Sequence, residues 1–569
     1  MASITRKKIR GGTYYYAREC KRVDGKPKIV WQKYLGKAED IISAVTQENV
    51  PVPEAKKEGL IVDLGAVAAL YDLSERLGIV EIIDEHVPKR GKGPSVGTYM
   101  LVATINRCVA PCSKAQIGEW FEGTVLRRLV DVEKRQLTSQ RYWDNMDRIS
   151  EDAINDIEAD VIKRMVKEFD LDLDRILFDA TNFFTFIDTF NERSSLAQRG
   201  KGKEGRSALR IVGLALLVTA DFHIPLMHHT YPGNEHDAPT FANLTDTLFE
   251  RVKDLVGGTE NITLVFDKGN NSRDNLDAVE ASDYHFVGSL VPTQHPDLLA
   301  VDEELFESLA DDGLAGVTAY RTVKEVFGHE RTIVVTHNEN LFVAQSKTLL
   351  REITKRQQRF REIVARLRKW REGKHKGKPP TIAGTKKKVE KLLKARHMRD
   401  LFVTKVSQRD GLPYLHYRFN SNAWEKLQST LLGKNILFTD NDDWSNAEIV
   451  RAYRAQHHVE DAFRDMKDTH HIALRPQHHW TDQKVRVHVF TCVLALMLAG
   501  LLRRELHSKG IDLSMARMLD LLSDIREMNM FFPPEKKGGP PTLRTSLSKM
   551  SSQQRRMYRA LKLARFTST

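Results

Sequence analysis

The order of apolar segments between residues 174 and 291 constrains the fold more than any other feature of this chain. Five apolar runs occur at residues 176–178, 211–220, 224–231, 262–266 and 285–291. Short runs bounded by turn residues indicate buried strands. Helices are expected between them: one from Ala238, where Asp237 suits a cap and Pro239 the first turn, and another from Asp274. The segment is therefore predicted to be an α/β layer built on one sheet.

Three successive strands followed by helix, strand, helix and strand are the layout of an α/β core of the RNase H-like type. We expect residues 171–290 to form the first part of this core and residues 441–510 the second. The second part has a clear start signal, because Ser445 and Glu448 match the Ser-x-x-Glu capping box. One continuous helix is predicted from this box to about residue 468.

Residues 291–440 are predicted to be an insertion between the two parts of the core. Segments 317–326 and 331–337 flank a short turn and indicate a β-hairpin. The next helix carries apolar residues in a heptad-like pattern and, with a second helix over 386–399, predicts an antiparallel helical hairpin. Two further strands are expected at 414–419 and 435–439.

The positive charge of the chain is concentrated in the predicted helical hairpin. Residues 351–400 carry 19 Lys+Arg and 5 Asp+Glu, so from totals of 88 and 76 the rest of the chain carries 69 and 71. Such a block is typical of a polyanion-binding surface, because phosphate contacts supply most non-specific affinity for nucleic acid. Lys386, Lys387 and Lys388 are candidate DNA contacts. The alternative is a solvated helix that is merely charged.

The two ends of the chain are predicted to lie outside the core. Residues 1–55 alternate polar and apolar residues around a turn, which predicts a β-hairpin and a linker. Residues 56–170 repeat apolar residues at intervals of three and four, which predicts a helical region, and we assign DNA binding to it. Within it, segment 138–148 is either a recognition helix presenting Arg141 or an amphipathic helix packing its aromatic residues. Residues 511–569 are expected to hold one helix and a basic tail.

Cysteine usage and hydropathy favour a protein of the reducing cytoplasm. The four cysteines are too few and too scattered for a disulfide framework. The first residues lack the apolar stretch of a signal peptide. The longest apolar run, 487–502, contains His488 and is shorter than the ~18 residues of a membrane span. We expect it to form a buried helix, with no membrane partner.

Three carboxylates occupy positions suited to a shared metal site. Asp179 closes the first predicted strand, Asp267 closes the fourth, and Glu460 lies mid-way along the helix that follows the capping box. Mg²⁺ and Mn²⁺ prefer oxygen ligands, and two ions ~3.5–4 Å apart assist in-line displacement at a phosphodiester. We therefore predict that Asp179, Asp267 and Glu460 are catalytic, that they hold two Mg²⁺ or Mn²⁺ ions, and that the enzyme cuts or joins nucleic acid.

The predicted helix around Glu460 presents further polar residues. At ~3.6 residues per turn, Tyr453, Glu460 and Lys467 share one face, and Gln456 and Arg464 lie close to it. Such a set can hold metal and phosphate together, so these residues are candidate DNA contacts. The alternative for Glu460 is an exposed ion pair with Arg464, contributing a few tenths of a kcal/mol.

Three histidine pairs invite comparison with a zinc site. They are His457 and His458, His470 and His471, and His478 and His479. No cysteine lies near them in the sequence, and Cys492 belongs to an apolar helix. Surface or DNA-facing histidines are therefore the favoured interpretation.

Several of these motifs resemble those of a known family. Tyr453, Glu460 and Lys467 match a Tyr-x2-Arg-x3-Glu-x6-Lys signature, and Phe178-Asp-Ala-Thr-Asn and Phe266-Asp-Lys-Gly-Asn match the two strand motifs that accompany it. The sequence over roughly 170–505 thus resembles the DDE insertion-sequence transposases of the Tyr-Arg-Glu-Lys branch. In one departure, Gln456 stands where the signature has Arg.

The resemblance implies a cytoplasmic enzyme that binds terminal inverted repeats, cleaves DNA ends and joins their 3′-hydroxyls to target DNA. It further implies that Tyr453 and Lys467 contact the transposon end, and that Arg454 or Arg464 can take the place of the missing arginine. Two ends must be held together, so a homodimer or larger assembly on double-stranded DNA is expected. The alternatives are a metal-dependent nuclease on the same core and a non-catalytic DNA-binding descendant.

Overall fold

The protein has a mixed α/β fold that divides into two compact units. The structure is a computed structural model and describes residues 2–9, 12–23, 26–38, 41, 59–89, 91–188, 190–200, 202, 209–235, 262–282, 284–475, 477–532 and 542–568. The first unit comprises Met1–Ile61, Met528–Ser546 and Thr569, and the second comprises Val62–Glu527 and Leu547–Ser568.

Two small three-stranded sheets lie apart from the central sheet, and only the first of them falls wholly within the first unit. One is antiparallel and joins β1 (Ala2–Ile9), β2 (Gly12–Val23) and β3 (Lys26–Gly36). The predicted hairpin is confirmed as β2 and β3, whereas β1 is missed by the sequence pattern, since three of its eight residues are basic. The other sheet pairs Arg526–Phe532 with β4 (Gly59–Asp63) and with Thr542–Leu547. Most of the predicted linker lies outside the described residues.

Helices fill the second unit up to residue 169, and the predicted helical pattern is confirmed there. Their starts follow local capping chemistry, since the side chains of Ser95, Thr138 and Ser150 each accept a hydrogen bond from a first-turn backbone N–H. The helices are Gly65–Leu77, Ile79–His86, Val96–Val109, Ile117–Glu122, Leu126–Leu129, Ser139–Met146 and Glu151–Phe169.

A ten-stranded sheet forms the centre of the second unit. Its strands are β5 (Arg175–Phe184), β6 (Gln198–Arg199), β7 (Arg210–Thr219), β8 (Pro225–Pro232), β9 (Thr263–Phe266), β10 (His285–Leu290), β11 (Glu307–Ser308), β12 (Val317–Val326), β13 (His329–Asn338) and β16 (Lys434–Thr439). The strands β14 (Phe402–Arg409) and β15 (Leu412–Phe419) form a separate hairpin. The order is β11-β12-β13-β16-β10-β9-β5-β7-β6, with β8 also pairing with β7. β9 runs parallel to β5 and β10, and the other pairs are antiparallel.

The five strands predicted between residues 174 and 291 are confirmed as β5, β7, β8, β9 and β10. The helix predicted from Asp274 is Arg273–Glu280, whose N-cap is Ser272. The helix predicted from Ala238 lies outside the described residues.

The predicted insertion is wrong in one respect, because part of it belongs to the central sheet. β16 lies between β10 and β13, and β12 continues the sheet beyond β13. Ile333, Val335 and Phe438 are fully buried, as expected of central strands that cannot stand alone in water. The sequence pattern shows such strands but does not show which neighbours they pair with.

The remainder of residues 291–440 forms a substructure with its own small apolar core. The long helix Glu339–Arg371 buries Ile353, Phe360 and Leu367, the heptad positions expected from the sequence. The predicted two-helix hairpin is incomplete, because β14 and β15 also cover this core beside the helix Ile382–Leu393. The other helices here are Pro296–Leu299, Met398–Leu401 and Ser421–Thr430.

The capping box at Ser445 is confirmed, but the single helix predicted after it is not. Two helices, Asn446–Arg454 and His457–Lys467, occupy the segment. Two later helices, Met515–Ser523 and Ser552–Ala560, stand where one was predicted.

One long apolar helix, Asp482–Ser508, follows and is the core helix expected from the run 487–502. Among the described residues, this helix alone is long and apolar enough to cross a membrane. Nearly all of its most apolar stretch is buried within the protein.

Candidate active site

Two aspartates follow the point where the parallel pairing of β5 with β9 ends. The prediction that Asp179 closes its strand is wrong, because β5 continues to Phe184, where it pairs with β7. β5 and β9 pair in register as far as Phe178 and Phe266. Asp179 is the next residue of β5, and Asp267 directly follows the end of β9 and keeps an extended backbone with φ −86° and ψ 160°. Equivalent positions on adjacent parallel strands lie ~4.8 Å apart and face the same side of a sheet. The sheet therefore holds these two carboxylates side by side, as the sequence predicts.

The Asp267 carboxylate is held by two hydroxyl groups. Tyr453 Oη lies 3.1 Å from Asp267 Oδ1 and 2.8 Å from Ser289 Oγ. Ser289 Oγ is in turn 3.3 Å from Asp267 Oδ1. Burial raises the pKa of Tyr453 above its ordinary value, and the negative charges of Asp267 and Glu460 raise it further. Tyr453 therefore remains protonated and donates a hydrogen bond that fixes the orientation of Asp267.

A single tightened turn at residues 455–456 interrupts the α-helical hydrogen bonding between Tyr453 and Glu460. The backbone N–H groups of Gln456 and His458 each donate to the carbonyl three residues earlier, at 3.0 and 2.8 Å. Tyr453 therefore lies in the last turn of one helix, and Glu460 lies in the first turn of the next, which we call the Glu460 helix (His457–Lys467). The prediction of one continuous helix is wrong for this reason, although Tyr453 and Lys467 both reach the central sheet, at Asp267 and Thr181.

Two hydrogen bonds attach the Glu460 helix to β5 on either side of Asp179. Gln456 Nε2 donates to the carbonyl oxygen of Phe178 at 2.9 Å, and Lys467 Nζ donates to Thr181 Oγ1 at 2.9 Å. Glu460 itself is exposed. The ligand oxygens of Asp179, Asp267 and Glu460 do not all lie within 4.8 Å of one another. A two-ion site distributes its ligands over both ions, so this spread is compatible with one.

A family model described as the transposase DDE domain matches residues 171–498, which is more than half of the chain. The chain belongs to the DDE transposase family. Enzymes of this family use divalent metal ions, and three carboxylates supply the hard oxygen donors that such ions require. In this transposase, Asp179 is half-buried in β5, and the side chain of Asp267 is 42% exposed. Both aspartates are thus open enough to take a ligand.

Two solved transposase structures show only limited similarity to this transposase. The first is titled as a piggyBac transposase synaptic complex with hairpin DNA, and it has 8% sequence identity, a TM-score of 0.37 and coverage of 82% of either chain. The second is a Mos1 transposase paired-end complex with the left transposon end, at 14% identity and a TM-score of 0.16, covering 37% of this chain and 63% of that one. No curated protein sequence matches the transposase.

The residues predicted to contact DNA fall into exposed and internal groups. Lys386, Lys387, Lys388, Arg141 and Arg464 are all exposed. Arg464 pairs with Asp461 at 2.7 Å and not with Glu460. By contrast, Gln456 is buried, and Tyr453 and Lys467 bond to other residues near the carboxylates. Gln456 therefore fixes the helix to the sheet in this structure, where the sequence predicts a contact with phosphate.

The structure distinguishes between the two interpretations of segment 138–148, a recognition helix and a packing helix. The helix Ser139–Met146 buries Tyr142 completely, with its ring edge-on to that of Tyr99 at 5.1 Å. Asn145 is also buried and donates to the carbonyl oxygen of Arg141 at 2.7 Å. These contacts favour the packing helix over the recognition helix, although Arg141 remains exposed.

A cavity of about 560 Å³ opens beside the hydroxyl network of the transposase. Ser289, Tyr453 and Lys268 line one part of it, and Glu352 and His397 of the inserted substructure line another. Residues of the basic segment 351–400 therefore line the same cavity as Tyr453 and Ser289, which bond to Asp267.

Sequence reasoning missed two residues of this site. Ser289 and Thr181 bond to Tyr453 and Lys467, respectively. The sequence gives only a weak signal for them, since each is simply the one hydroxyl residue of its strand.

Proposed function

We propose that this transposase binds the terminal inverted repeats of an insertion sequence, cleaves the DNA ends and joins their 3′-hydroxyls to target DNA. The observation that carries this proposal is the in-register pairing of β5 and β9, which brings Asp179 and Asp267 together. Two carboxylates placed where β5 and β9 stop pairing, with a third on a helix bonded to β5, form the ligand set expected for phosphodiester chemistry.

The core that carries this site is proposed to be RNase H-like. In the central sheet the five predicted strands have the order third, second, first, fourth and fifth, as β8, β7, β5, β9 and β10. β7 is antiparallel to its neighbours β8 and β5, whereas β9 and β10 run parallel to β5. Membership of the Tyr-Arg-Glu-Lys branch is supported by Tyr453 and Lys467, which both lie next to the carboxylates.

Asp179, Asp267 and Glu460 are the residues that would hold two Mg²⁺ or Mn²⁺ ions. When bound, such ions activate an attacking hydroxyl and stabilise the departing oxygen of an in-line displacement. Tyr453 keeps Asp267 oriented, and Lys467 supplies positive charge beside β5, where the cleaved phosphate would lie. Water and then the DNA 3′-hydroxyl would act as nucleophile at this one site.

DNA would be held largely by the exposed basic residues of the inserted substructure. Lys386, Lys387 and Lys388 are consecutive residues of the helix Ile382–Leu393, and all three are exposed. Arg141 and Arg464 would contribute further phosphate contacts. We also propose that the transposase acts in the cytoplasm as a dimer or larger assembly on double-stranded DNA, because two ends must be joined in one event.

A strand-transfer assay tests the proposal directly. Pre-cleaved, labelled DNA carrying the element's end is incubated with protein, Mg²⁺ and a circular target plasmid. Label joined covalently to the plasmid is the expected result. Cleavage of uncut ends without joining would contradict the proposal and favour a metal-dependent nuclease. End binding without either reaction would favour a non-catalytic DNA-binding descendant.

A further inference from the structure

A strained turn between β7 and β8 places a buried histidine beneath the Glu460 helix. Phe222 and His223 both adopt left-handed backbone conformations, with φ of 58° and 45°, which non-glycine residues rarely adopt. His223 is only 2% exposed. Its Nε2 lies 3.1 Å from Asp465 Oδ2, whereas its Nδ1 is buried and has no hydrogen-bond partner among the described residues. The turn thus holds one imidazole nitrogen in the interior with nothing to bond.

The Glu460 helix supplies two further donors at the same place. His458 and Asp461 are three residues apart and therefore share one helix face. His458 Nδ1 is also buried, and no residue in the described part of the chain forms a hydrogen bond with it. One possible ligand atom from each of His223, His458 and Asp461 lies within 4.8 Å of the other two. Asp461 also pairs with the exposed Arg464, and such exposed pairs contribute little stability.

Two unpartnered buried nitrogens beside a carboxylate are unfavourable unless something bonds to them. A bound cation satisfies all three groups at once. Two imidazoles and one carboxylate suit Zn²⁺ and similar transition-metal ions better than Mg²⁺, which takes mainly oxygen ligands. The contact between His223 Nε2 and Asp465 adds support, because metal-bound histidines usually donate their other N–H to a carboxylate.

We propose that His223, His458 and Asp461 bind a divalent transition-metal ion such as Zn²⁺, at a site separate from Asp179, Asp267 and Glu460. Ligands around tetrahedral zinc are roughly 3.3 Å apart, given bonds of ~2.0–2.1 Å, so small side-chain rotations close the site from its present spacing. A fourth position remains for water. The ion would fasten the Glu460 helix to the turn between β7 and β8 and so fix the helix that carries Glu460.

Cobalt substitution tests this site by a readout other than catalysis. Full-length protein is stripped with a chelator and titrated with Co²⁺, and visible absorption reports tetrahedral coordination. The same titration is run on a variant with Asp179→Asn, Asp267→Asn and Glu460→Gln, which lacks the three proposed catalytic carboxylates. We expect one tetrahedral Co²⁺ per chain in both proteins, displaced by Zn²⁺.

Variants of the ligands give the sharper comparison. His458→Gln should remove the tetrahedral absorption, and Asp461→Asn should weaken Co²⁺ binding at least about tenfold. The matched control is His470→Gln, because that side chain is 76% exposed and lies just beyond the same helix; it should retain the signal. Circular dichroism confirms folding of each variant, and Asp461→Asn serves if His458→Gln does not fold. Absence of tetrahedral Co²⁺ in the wild type, or its unchanged binding in folded ligand variants, would overturn the proposal.

Discussion

Asp179 and Asp267 occupy equivalent positions on two adjacent parallel strands, one residue beyond the last registered pair, Phe178 and Phe266. The two carboxylates are thus fixed by the backbone of the central sheet and not by flexible loops. Residues on rigid elements hold a metal site more reproducibly than loop residues. Glu460 is different, since it belongs to a helix that reaches the sheet through side-chain hydrogen bonds.

Tyr453→Phe should weaken metal binding and leave the fold intact. The change removes the hydroxyl that contacts Asp267 and Ser289 but keeps the ring. Loss of a hydrogen bond that orients a metal ligand lowers metal affinity or activity by about 10- to 100-fold. Cleavage measured against Mg²⁺ concentration should therefore show a higher half-saturating concentration. An unchanged Mg²⁺ dependence would show that Tyr453 does not position Asp267.

Replacing Lys386, Lys387 and Lys388 together by Ala should reduce DNA affinity and its dependence on salt. All three side chains are exposed, so the fold should be unaffected. Each lost phosphate contact lowers the slope of log K against log salt by about 0.9, which gives a decrease of up to about 2.7 for three contacts. Fluorescence anisotropy at several salt concentrations measures this slope. The triple Lys→Arg variant keeps the charge and should retain it; equal loss in both variants would argue against an electrostatic role.

Stability should rise between pH 7 and pH 9 because of one buried lysine. Burial, together with the nearby charge of Arg107, lowers the pKa of Lys114 from 10.5 to about 7. The unfolded chain thus binds more protons than the folded chain in this range, so the free energy of unfolding increases with pH. Above the ordinary cysteine pKa of 9.0, Cys108 and Cys492 act in the opposite direction, since burial raises their pKa values.

Lys114→Met isolates this effect. Denaturant unfolding at several pH values should give a smaller increase between pH 7 and pH 9 for the variant than for the wild type. Identical slopes for the two proteins would show that Lys114 is not the group responsible.

Much of this architecture follows from local sequence. The five strands, the Ser445 capping box and the adjacency of Asp179 and Asp267 are all predictable, because alternating strand and helix segments favour parallel neighbours. Local patterns do not report long-range pairing. The position of β16 between β10 and β13 is one consequence.

The break before Glu460 is the clearest limit on prediction. Ala455 and Gln456 keep helical dihedral angles, and neither residue is a helix breaker, so no local signal marks the turn. Its anchor is the hydrogen bond from Gln456 to the carbonyl oxygen of Phe178, 278 residues away. The prediction of surface or DNA-facing histidines is wrong for His471, which is buried and bonds to the carbonyl oxygen of Cys108, 363 residues away.

The most direct test of the account is Mg²⁺-dependent cleavage of labelled DNA carrying the element's own end, comparing wild type with Glu460→Gln. Asp274→Asn serves as the control, because Asp274 is an exposed carboxylate seven residues beyond Asp267. Cleavage at the end should be lost in Glu460→Gln and retained in the control, with end binding preserved in all three proteins. Cleavage by Glu460→Gln at the wild-type rate would contradict the assignment of Asp179, Asp267 and Glu460 as the catalytic carboxylates.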